Sequence, residues 1–315
     1  MLVCGMGTFI VTGGAGFIGG NLSNALLSRY HKVVVFDSFH TGSREVAEFL
    51  RMRGASIVEA GSGEVGQVRE EVDCVFHLGM PSSSPMYHED PLLVGRVVED
   101  AIAVFEYARR NDVKVVYAST SSLYNPSPPP HREDLPVAPS DFYTEARYFV
   151  ERLGWLYHDL YGLEVVGLRL FSVYGPNEKA KGVYANVVSQ MVWAALEGRK
   201  FVVYGDGSQT RDFVYVSDVV DAFLRAWECD VSGVFNVGTG VETSFNEAVE
   251  LVREVTGRRL EVEYTGEYPR NYVLRTRADT RLAEEKLGFR ARVSLREGLE
   301  IINRAYRKSR LVLVS

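Results

Sequence analysis

A tyrosine and an arginine are spaced for acid–base chemistry in residues 141–147, which read DFYTEAR. On a helix, Tyr143 and Arg147 are four residues apart and therefore share one face. A free phenol titrates near pH ~10 and is a poor base at neutral pH, but a neighbouring cation favours the phenolate. The spacing indicates a general base tuned by a guanidinium, and it also fits an ordinary pair on a helix surface.

A glycine-rich turn precedes this pair in the chain. Gly13, Gly16 and Gly19 recur at three-residue spacing in TGGAGFIG, between a predicted strand and a predicted helix. This arrangement gives a tight turn, close approach of the backbone to a pyrophosphate and a free helix N-terminus. Asp37 ends the next apolar run, VVVFD, where a carboxylate accepts both ribose hydroxyls and repels a 2′-phosphate. The pattern favours NAD over NADP; the alternative is a glycine turn followed by a solvated aspartate.

The elements that must position these residues alternate between strand and helix. Apolar strands such as HKVVVFD, DCVFHLG and VKVVYAST are separated by helical runs, including LLVGRVVEDAIAVFEYARRN and a helix predicted over residues 141–161. Such alternation predicts a parallel sheet covered on both faces. We therefore expect an α/β fold, with a parallel sheet in the first half of the chain and a smaller C-terminal α/β lobe. Residues 1–171 and about 212–236 would form the NAD-binding domain, and about 172–211 with 237–315 the lobe that binds substrate.

The composition argues against several other classes of protein. A net charge of −6 over 315 residues provides no basic surface for nucleic acid. The three cysteines, Cys4, Cys74 and Cys229, show no metal-ligand spacing and suggest a reducing, cytoplasmic location. No apolar run approaches the length of a membrane span. We therefore expect a cytoplasmic protein without a metal, a nucleic-acid partner or a membrane partner.

Longer segments resemble the extended short-chain dehydrogenase/reductase family, and within it the nucleotide-sugar epimerases and dehydratases. VTGGAGFIGGNL with FDSFHTGSRE is similar to the family's cofactor loop, and LRLFSVYGP is similar to its sixth strand. VYGDGSQTRDFVYVSDVVDA resembles a specific signature of the family, and the resemblance covers nearly the whole chain. It implies a Rossmann doubly wound sheet with NAD as cofactor and a smaller C-terminal lobe that binds a nucleotide sugar. It also implies a homodimer that pairs the helices near 97–109 and 141–161.

The resemblance also implies a catalytic triad. The family's Tyr-x-x-x-Lys pair matches Tyr143 and Arg147, so arginine stands where the family has lysine. In the family, the tyrosinate removes a proton from a sugar hydroxyl while hydride passes to NAD, and the lysine also bonds the nicotinamide ribose. Arg147 keeps a permanent charge but differs from lysine in bulk and geometry. The family's third member, a Ser or Thr after the fifth strand, matches Thr120 in STSSLY; the alternative is a hydroxyl that caps a helix.

The remaining site residues follow from the same resemblance. Those implied to contact the cofactor are Gly13, Gly16, Phe17, Ile18, Gly19, Asp37, Ser38, Leu78, Gly79, Met80, Ser119, Tyr143 and Arg147. Those implied to contact the nucleotide sugar are Ser83, Thr120, Ser121, Ser172, Val183, Tyr184, Tyr204, Arg211, Arg270 and Arg275. Arg211 matches the family position that binds the diphosphate. A guanidinium suits this role because it can form bidentate hydrogen bonds with phosphate oxygens. Either Arg270 or Arg275 is a candidate second diphosphate arginine, and an exposed salt bridge is the alternative for both.

The residues after Thr120 bear on the reaction. Dehydratases that resemble this chain carry Thr-Asp-Glu here and decarboxylases of UDP-glucuronate often carry Thr-Ser-Glu, whereas this sequence has Thr120, Ser121 and Ser122. The resemblance then implies 4-epimerisation of a nucleotide sugar of the UDP-galactose/UDP-glucose type, through a transient 4-keto intermediate. Two alternatives stay open. One is a UDP-glucuronate decarboxylase-like or other sugar-nucleotide oxidoreductase; the other is a non-catalytic NAD- or nucleotide-sugar-binding protein, because Arg147 replaces the family lysine.

Several positions depart from the family pattern. The aspartate that the family places near the adenine, after the third strand, falls in VEAGSGEVG, which offers only Gly61 and Ser62. The asparagine early in the long helix is replaced by Val97 or Val98, and Ser172 replaces the asparagine of FNVYG. These departures point to an altered sugar specificity, such as an N-acetylated, deoxy or pentose sugar.

Overall fold

The structure is a computed structural model that describes residues 6–308 and 311–314, so Cys4 lies outside the described residues. The strands are β1 (Thr8–Thr12), β2 (Lys32–Phe36), β3 (Ser56–Val58), β4 (Cys74–His77), β5 (Lys114–Thr120), β6 (Val165–Leu170), β7 (Ser172–Tyr174), β8 (Phe201–Val203), β9 (Thr210–Arg211), β10 (Phe213–Tyr215), β11 (Gly233–Val237), β12 (Thr243–Ser244) and β13 (Val262–Tyr264). The helices are α1 (Phe17–Ser28), α2 (Arg44–Met52), α3 (Ser84–Glu89), α4 (Leu93–Asn111), α5 (Phe142–Tyr161), α6 (Val187–Glu197), α7 (Val216–Glu228), α8 (Phe245–Thr256), α9 (Arg281–Leu287) and α10 (Leu295–Arg307).

Seven parallel strands form the central sheet, in the order β11-β6-β5-β4-β1-β2-β3. The strand order reverses between β1 and β4. Because crossovers between parallel strands are right-handed, this reversal places the helices that follow β1 and β2 on one face and those that follow β4 and β5 on the other. Strands β4, β5 and β6 are buried along their whole length, as the continuous apolar runs of the sequence predict. The doubly wound Rossmann fold is confirmed.

Helix α5 begins and ends with strong local signals. The Asp141 carboxylate accepts the Thr144 backbone N–H at 2.8 Å, and Gly162 ends the helix in the left-handed region at φ +69°. Helix α5 packs against α4 on one face of the sheet, while α1 packs against α2 and α7. The predicted helix over residues 141–161 therefore agrees with the observed one to within a residue. Among the described residues, no helix is long and apolar enough to cross a membrane.

A second cluster of buried side chains lies in the C-terminal half. Helices α6, α8 and α10 pack against one another around residues such as Val192, Phe245 and Ile302. Three small two-stranded sheets accompany them, pairing β7 with β10, β9 with β12, and β8 with β13. β11 joins the central sheet, and α9 packs against β11. The domain boundaries given above remain a prediction.

Candidate active site

A cavity of about 790 Å³ opens at the carboxyl ends of the parallel strands. Its walls come from the segments after β1 to β6, from helices α4 and α5, and from the C-terminal half of the chain. It lies where the strand order reverses between β1 and β4, which is the position at which doubly wound sheets bind ligands. The fold alone therefore identifies this cavity as the candidate active site.

The structure places most of the predicted site residues around this cavity. All of the residues predicted to contact the cofactor line it: Gly13, Gly16, Phe17, Ile18, Gly19, Asp37, Ser38, Leu78, Gly79, Met80, Ser119, Tyr143 and Arg147. Of those predicted to contact the sugar nucleotide, Thr120, Ser121, Ser172, Tyr184 and Arg211 line it. Ser83, Val183, Tyr204, Arg270 and Arg275 do not. One cavity thus brings together the predicted cofactor residues and half of the predicted substrate residues.

The glycine-rich turn brings backbone close to backbone. Gly13 has φ +66°, and a Cβ atom there would lie 2.8 Å from the Gly79 Cα atom. A Cβ atom at Gly19 would lie 2.1 Å from the Gly13 carbonyl oxygen. Helix α1 starts directly after Gly16, which offers no capping side chain, so the first N–H groups of the helix are free to bind an anion. These glycines fit the pyrophosphate of a dinucleotide.

The Asp37 carboxylate is fixed at the end of β2. Its Oδ2 atom accepts the Ala15 backbone N–H at 2.9 Å and its Oδ1 atom accepts the Phe39 N–H at 2.8 Å. Burial raises the pKa of Asp37, and these N–H donors oppose that rise. A carboxylate held this way fits the ribose hydroxyls of NAD, whereas the 2′-phosphate of NADP would bring a second negative charge beside it.

Tyr143 and Arg147 lie together on the inward face of α5. The Tyr143 ring packs against the Tyr87 ring at 5.6 Å between centroids, and the Arg147 Cζ atom is 5.3 Å from the centre of the Tyr143 ring. Arg147 is buried and donates through Nη1 to the Ala118 carbonyl at 3.1 Å and through Nη2 to the Pro81 carbonyl at 2.9 Å. The guanidinium is therefore anchored to backbone at two points, and it holds a permanent charge beside the phenol.

Thr120 and Ser119 occupy the end of β5. The Thr120 hydroxyl oxygen accepts the Ser122 N–H at 3.2 Å, so the capping role considered above is present. That bond leaves the hydroxyl proton of Thr120 free, and the residue still lines the cavity. The Ser119 hydroxyl donates to Glu151 Oε1 at 2.5 Å, which directs its proton away from the cavity.

A buried ion pair supports this end of the site. Arg169 donates through Nε and Nη2 to the two carboxylate oxygens of Glu151, at 2.9 and 2.7 Å, and both side chains are buried. Arg169 Nη1 donates to the Tyr124 hydroxyl at 2.9 Å, which in turn donates to Asn236 Oδ1 at 2.7 Å. The network joins Ser119 on β5 to α5, β6 and β11, so it fixes these elements relative to one another.

The arginines of the C-terminal half differ in their surroundings. The Arg211 Cζ atom lies 5.4 Å from the centres of the Phe245 and Tyr272 rings, and burial lowers the pKa of Arg211. The Arg275 guanidinium instead forms a two-point salt bridge with Glu242 at 2.8 and 2.9 Å. Arg270 is exposed. Of the three arginines predicted to bind the diphosphate, Arg211 is the one that the structure places in the cavity wall.

Lys181, Glu89 and Asp100 are among the side chains in the cavity wall that were not predicted from the sequence. Lys181 points its Nζ atom toward the Phe17 ring, 5.6 Å from the ring centre, and lies 3.6 Å from Glu178. Glu89 accepts a hydrogen bond from the Tyr184 hydroxyl at 3.1 Å, and Asp100 enters from α4. Lys181 had one usable signal, because NEKAKG contains two of only seven lysines in the chain.

A doubly wound sheet with a glycine-rich turn and a fixed carboxylate at its switch point is the framework of a dinucleotide-binding enzyme. The NAD dependent epimerase/dehydratase family matches residues 9–238, and the chain belongs to this family. The resemblance stated from the sequence is therefore confirmed, together with NAD as the cofactor of the family. The residues around the cavity fit NAD through the free N–H groups after Gly16 and the fixed carboxylate of Asp37.

The names of the proteins similar to this chain describe two different activities. The UDP-glucose 4-epimerase of Mycolicibacterium smegmatis is 37% identical over 303 residues, covering 92% of this chain and 95% of that protein. UDP-glucuronic acid decarboxylase 1 of Xenopus tropicalis is 31% identical over 307 residues, covering 95% of this chain and 72% of that protein. Among solved structures, the UDP-glucose 4-epimerase of Thermotoga maritima with UDP-glucose aligns with a TM-score of 0.89 at 31% identity, covering 96% of this chain and 99% of that one.

Proposed function

We propose that this protein catalyses the NAD-dependent 4-epimerisation of a UDP-linked hexose. The observation that carries the proposal is the composition of the cavity wall beside Tyr143. Thr120 and Tyr143 line one cavity, and the next two residues of the wall are Ser121 and Ser122 rather than an acid pair. Such a site can move one proton and one hydride at a carbinol carbon, which is all that 4-epimerisation requires.

Each residue has a defined part in this chemistry. The Tyr143 oxygen removes the proton of the sugar 4-hydroxyl, and the buried Arg147 guanidinium lies beside the Tyr143 ring. NAD, held by the N–H groups after Gly16 and by Asp37, would supply the group that accepts hydride from C4 and gives it back. The Thr120 hydroxyl, whose proton is free, donates to the reacting sugar oxygen, and Arg211 binds the diphosphate.

Decarboxylation of UDP-glucuronate is the second candidate reaction, because a decarboxylase is among the relatives. The first step of that decarboxylation also oxidises C4 of the sugar. The family resemblance, however, places a glutamate at the position of Ser122 in decarboxylases. The carboxylates that line the cavity come from other segments: Asp37, Glu89, Asp90 and Asp100. The missing glutamate favours epimerisation.

The test is incubation of the purified protein with NAD and UDP-galactose, followed by chromatography of the UDP-sugars. We expect UDP-glucose to appear without net formation of NADH. A parallel incubation with UDP-glucuronate is expected to release no carbon dioxide. Release of carbon dioxide, or a steady rise of NADH absorbance, would replace the proposal by the decarboxylase or by a free dehydrogenase. Failure of a panel of hexose, N-acetylhexosamine and pentose nucleotides would support a binding protein.

Two substitutions at Arg147 separate its charge from its shape. We expect Arg147→Lys to stay within about tenfold of the wild-type turnover, because an ammonium preserves the charge beside Tyr143. Arg147→Met should lower turnover by about a hundredfold or more, because the phenolate then loses its cation. The measurements are steady-state kinetics and the amount of NAD that each of the two variants retains after purification. Equal losses in the two variants would mean that Arg147 acts through its contacts with the Ala118 and Pro81 carbonyls.

We further propose that the protein is a homodimer that pairs α4 and α5 of each copy. Phe142, Phe149, Leu156 and Leu160 recur on α5 at seven- and four-residue spacing, and they are 45–63% exposed. Ile102 on the adjacent α4 is also exposed. An apolar stripe of this length on two packed helices is a self-complementary surface for a twofold-related copy.

Leu156→Asp tests this interface. We expect the wild type to have twice the mass of the chain by light scattering after size-exclusion chromatography, and the variant to have the mass of one chain, because the substitution places a charge within the apolar stripe. Met52→Asp, at the exposed end of α2, is the matched control and should leave the mass unchanged. A monomeric wild type, or a Leu156→Asp dimer, contradicts the proposal.

A further inference from the structure

The adenosine end of the cavity lies beyond Asp37, toward the edge of the sheet. The segment after β3 contributes Ala60, Gly61 and Ser62 to the wall, and α4 contributes Asp100 from the opposite side. Because Asp37 marks the ribose and β3 is the outermost strand on that side, the base of the dinucleotide must lie between the segment after β3 and α4. The polar groups at this end therefore decide which base is bound.

Adenine presents an exocyclic amine, and a buried amine requires an acceptor. The side-chain acceptors at this end differ in charge and in what they bind. The Ser62 hydroxyl is a neutral, buried group that donates to the Gly79 carbonyl at 3.0 Å, and Gly61 has no side chain. The Asp37 carboxylate accepts a backbone N–H group at each oxygen, and its remaining lone pairs are assigned to the ribose hydroxyls. The segment after β3 therefore supplies no carboxylate at the position where the family resemblance implies one.

Asp100 has one carboxylate oxygen available. Its Oδ1 atom accepts the Gly63 backbone N–H at 3.1 Å, which holds the carboxylate against the segment after β3. Its Oδ2 atom has no hydrogen-bond partner within the described part of the chain, and the side chain is partly buried in the cavity wall. Gly63 permits this approach, because a Cβ atom there would lie 2.8 Å from Asp100 Oδ1. The carboxylate is thus fixed in orientation through Oδ1, and its Oδ2 atom is available to accept a hydrogen bond.

We propose that Asp100 binds the exocyclic amine of the cofactor's adenine through Oδ2. Helix α4 thereby supplies, from the opposite wall, the acceptor that is missing at Gly61. The inference concerns the base of NAD and is independent of the sugar that the protein converts. It makes Asp100 a residue that selects adenine over bases with a carbonyl at the same position.

Nicotinamide hypoxanthine dinucleotide is the appropriate probe, because it differs from NAD by a carbonyl oxygen in place of the amine. The purified protein is incubated to equilibrium with an excess of both dinucleotides in equal amounts. Free nucleotide is then removed, and the retained forms are separated by chromatography. The retained ratio reports the relative affinity directly, without a sugar substrate and without turnover. We expect the wild type to retain NAD preferentially by about tenfold to a hundredfold.

Asp100→Ala should reduce this preference by about fivefold or more, because it removes the acceptor. Asp100→Asn should also reduce it, because an amide can accept from the amine or donate to the carbonyl. Glu99→Gln is the matched control: it removes the same charge from the adjacent, exposed position and should keep the wild-type ratio. An unchanged ratio of the two retained dinucleotides in Asp100→Ala overturns the proposal. Asp100 would then act only through its hydrogen bond with the Gly63 backbone N–H.

Gly61→Asp in the Asp100→Ala background provides a rescue. A Cβ atom at Gly61 meets no atom within 4 Å, and its φ of −71° suits any residue. An aspartate there should restore the preference for NAD, since it returns the acceptor to the segment after β3. Restoration supports the assignment, whereas a double variant that folds and still lacks the preference counts against it. If the wild type prefers NAD but does not epimerise UDP-galactose, the result contradicts the proposed function and leaves the assignment of Asp100 intact.

Discussion

Tyr143→Phe will lower the turnover of UDP-galactose by about a thousandfold, while the NAD retained by the protein stays within about twofold of the wild type. The substitution removes one hydroxyl and leaves the ring, so packing against Tyr87 and the contact with Arg147 are kept. Without the phenol, the site loses the group to which the proposed 4-epimerisation assigns the proton of the sugar 4-hydroxyl. The effect is expected in kcat, with little change in KM.

Tyr148→Phe is the matched control for this prediction. Tyr148 follows Arg147 on the same helix but does not line the cavity, so the variant should keep wild-type turnover. A Tyr143→Phe protein that epimerises at the wild-type rate would show that Tyr143 is not the base. A variant that also loses NAD would show instead that Tyr143 mainly shapes the cofactor site.

Arg169→Met will lower the free energy of unfolding by about 3–5 kcal/mol. The substitution leaves the Glu151 carboxylate buried without its cation, and the Ser119 hydroxyl alone cannot replace two guanidinium contacts. Urea denaturation followed by circular dichroism gives the change in unfolding free energy. The thermal midpoint should fall in parallel, and the loss should be present with and without added NAD.

The double variant Glu151→Leu/Arg169→Met identifies the cause of this loss. It buries no unpaired charge, so it should be more stable than Arg169→Met alone. Glu59→Gln breaks the exposed pair with Arg44 and should produce no measurable change. A double variant as unstable as Arg169→Met would assign the loss to packing and to the hydrogen bond with Tyr124.

The fold and the cofactor side of the site could be predicted because their signals are local. The glycine spacing from Gly13 to Gly19, the acid at the end of β2 and the helical spacing of Tyr143 and Arg147 each lie within one segment. Short-range geometry dictates such features, and a single sequence displays them. The alternation of apolar strands with helices likewise predicted a parallel sheet covered on both faces, although the order of its strands was not predicted.

The substrate side depended on contacts between distant segments. Arg275 and Glu242 are separated by 33 residues, and their salt bridge determines that the Arg275 guanidinium is engaged. Lys181 and Asp100 reach the cavity only because a loop and a helix from different parts of the chain pack beside the sheet. The anchoring of Arg147 likewise requires the ends of β4 and β5 to be adjacent. Such pairings have no signature within a short window of sequence.

The buried pair of Glu151 and Arg169 also limits how this sequence can diverge. A change at either position alone passes through a protein that has lost about 3–5 kcal/mol from a free energy of unfolding that is typically about 5–15 kcal/mol. Neutral drift at these two positions therefore requires either a prior stabilising substitution elsewhere or a coupled double change. Exposed pairs such as Arg44 and Glu59 impose no such condition. Across descendants of this chain, positions 151 and 169 should covary or stay fixed, while positions 44 and 59 vary independently.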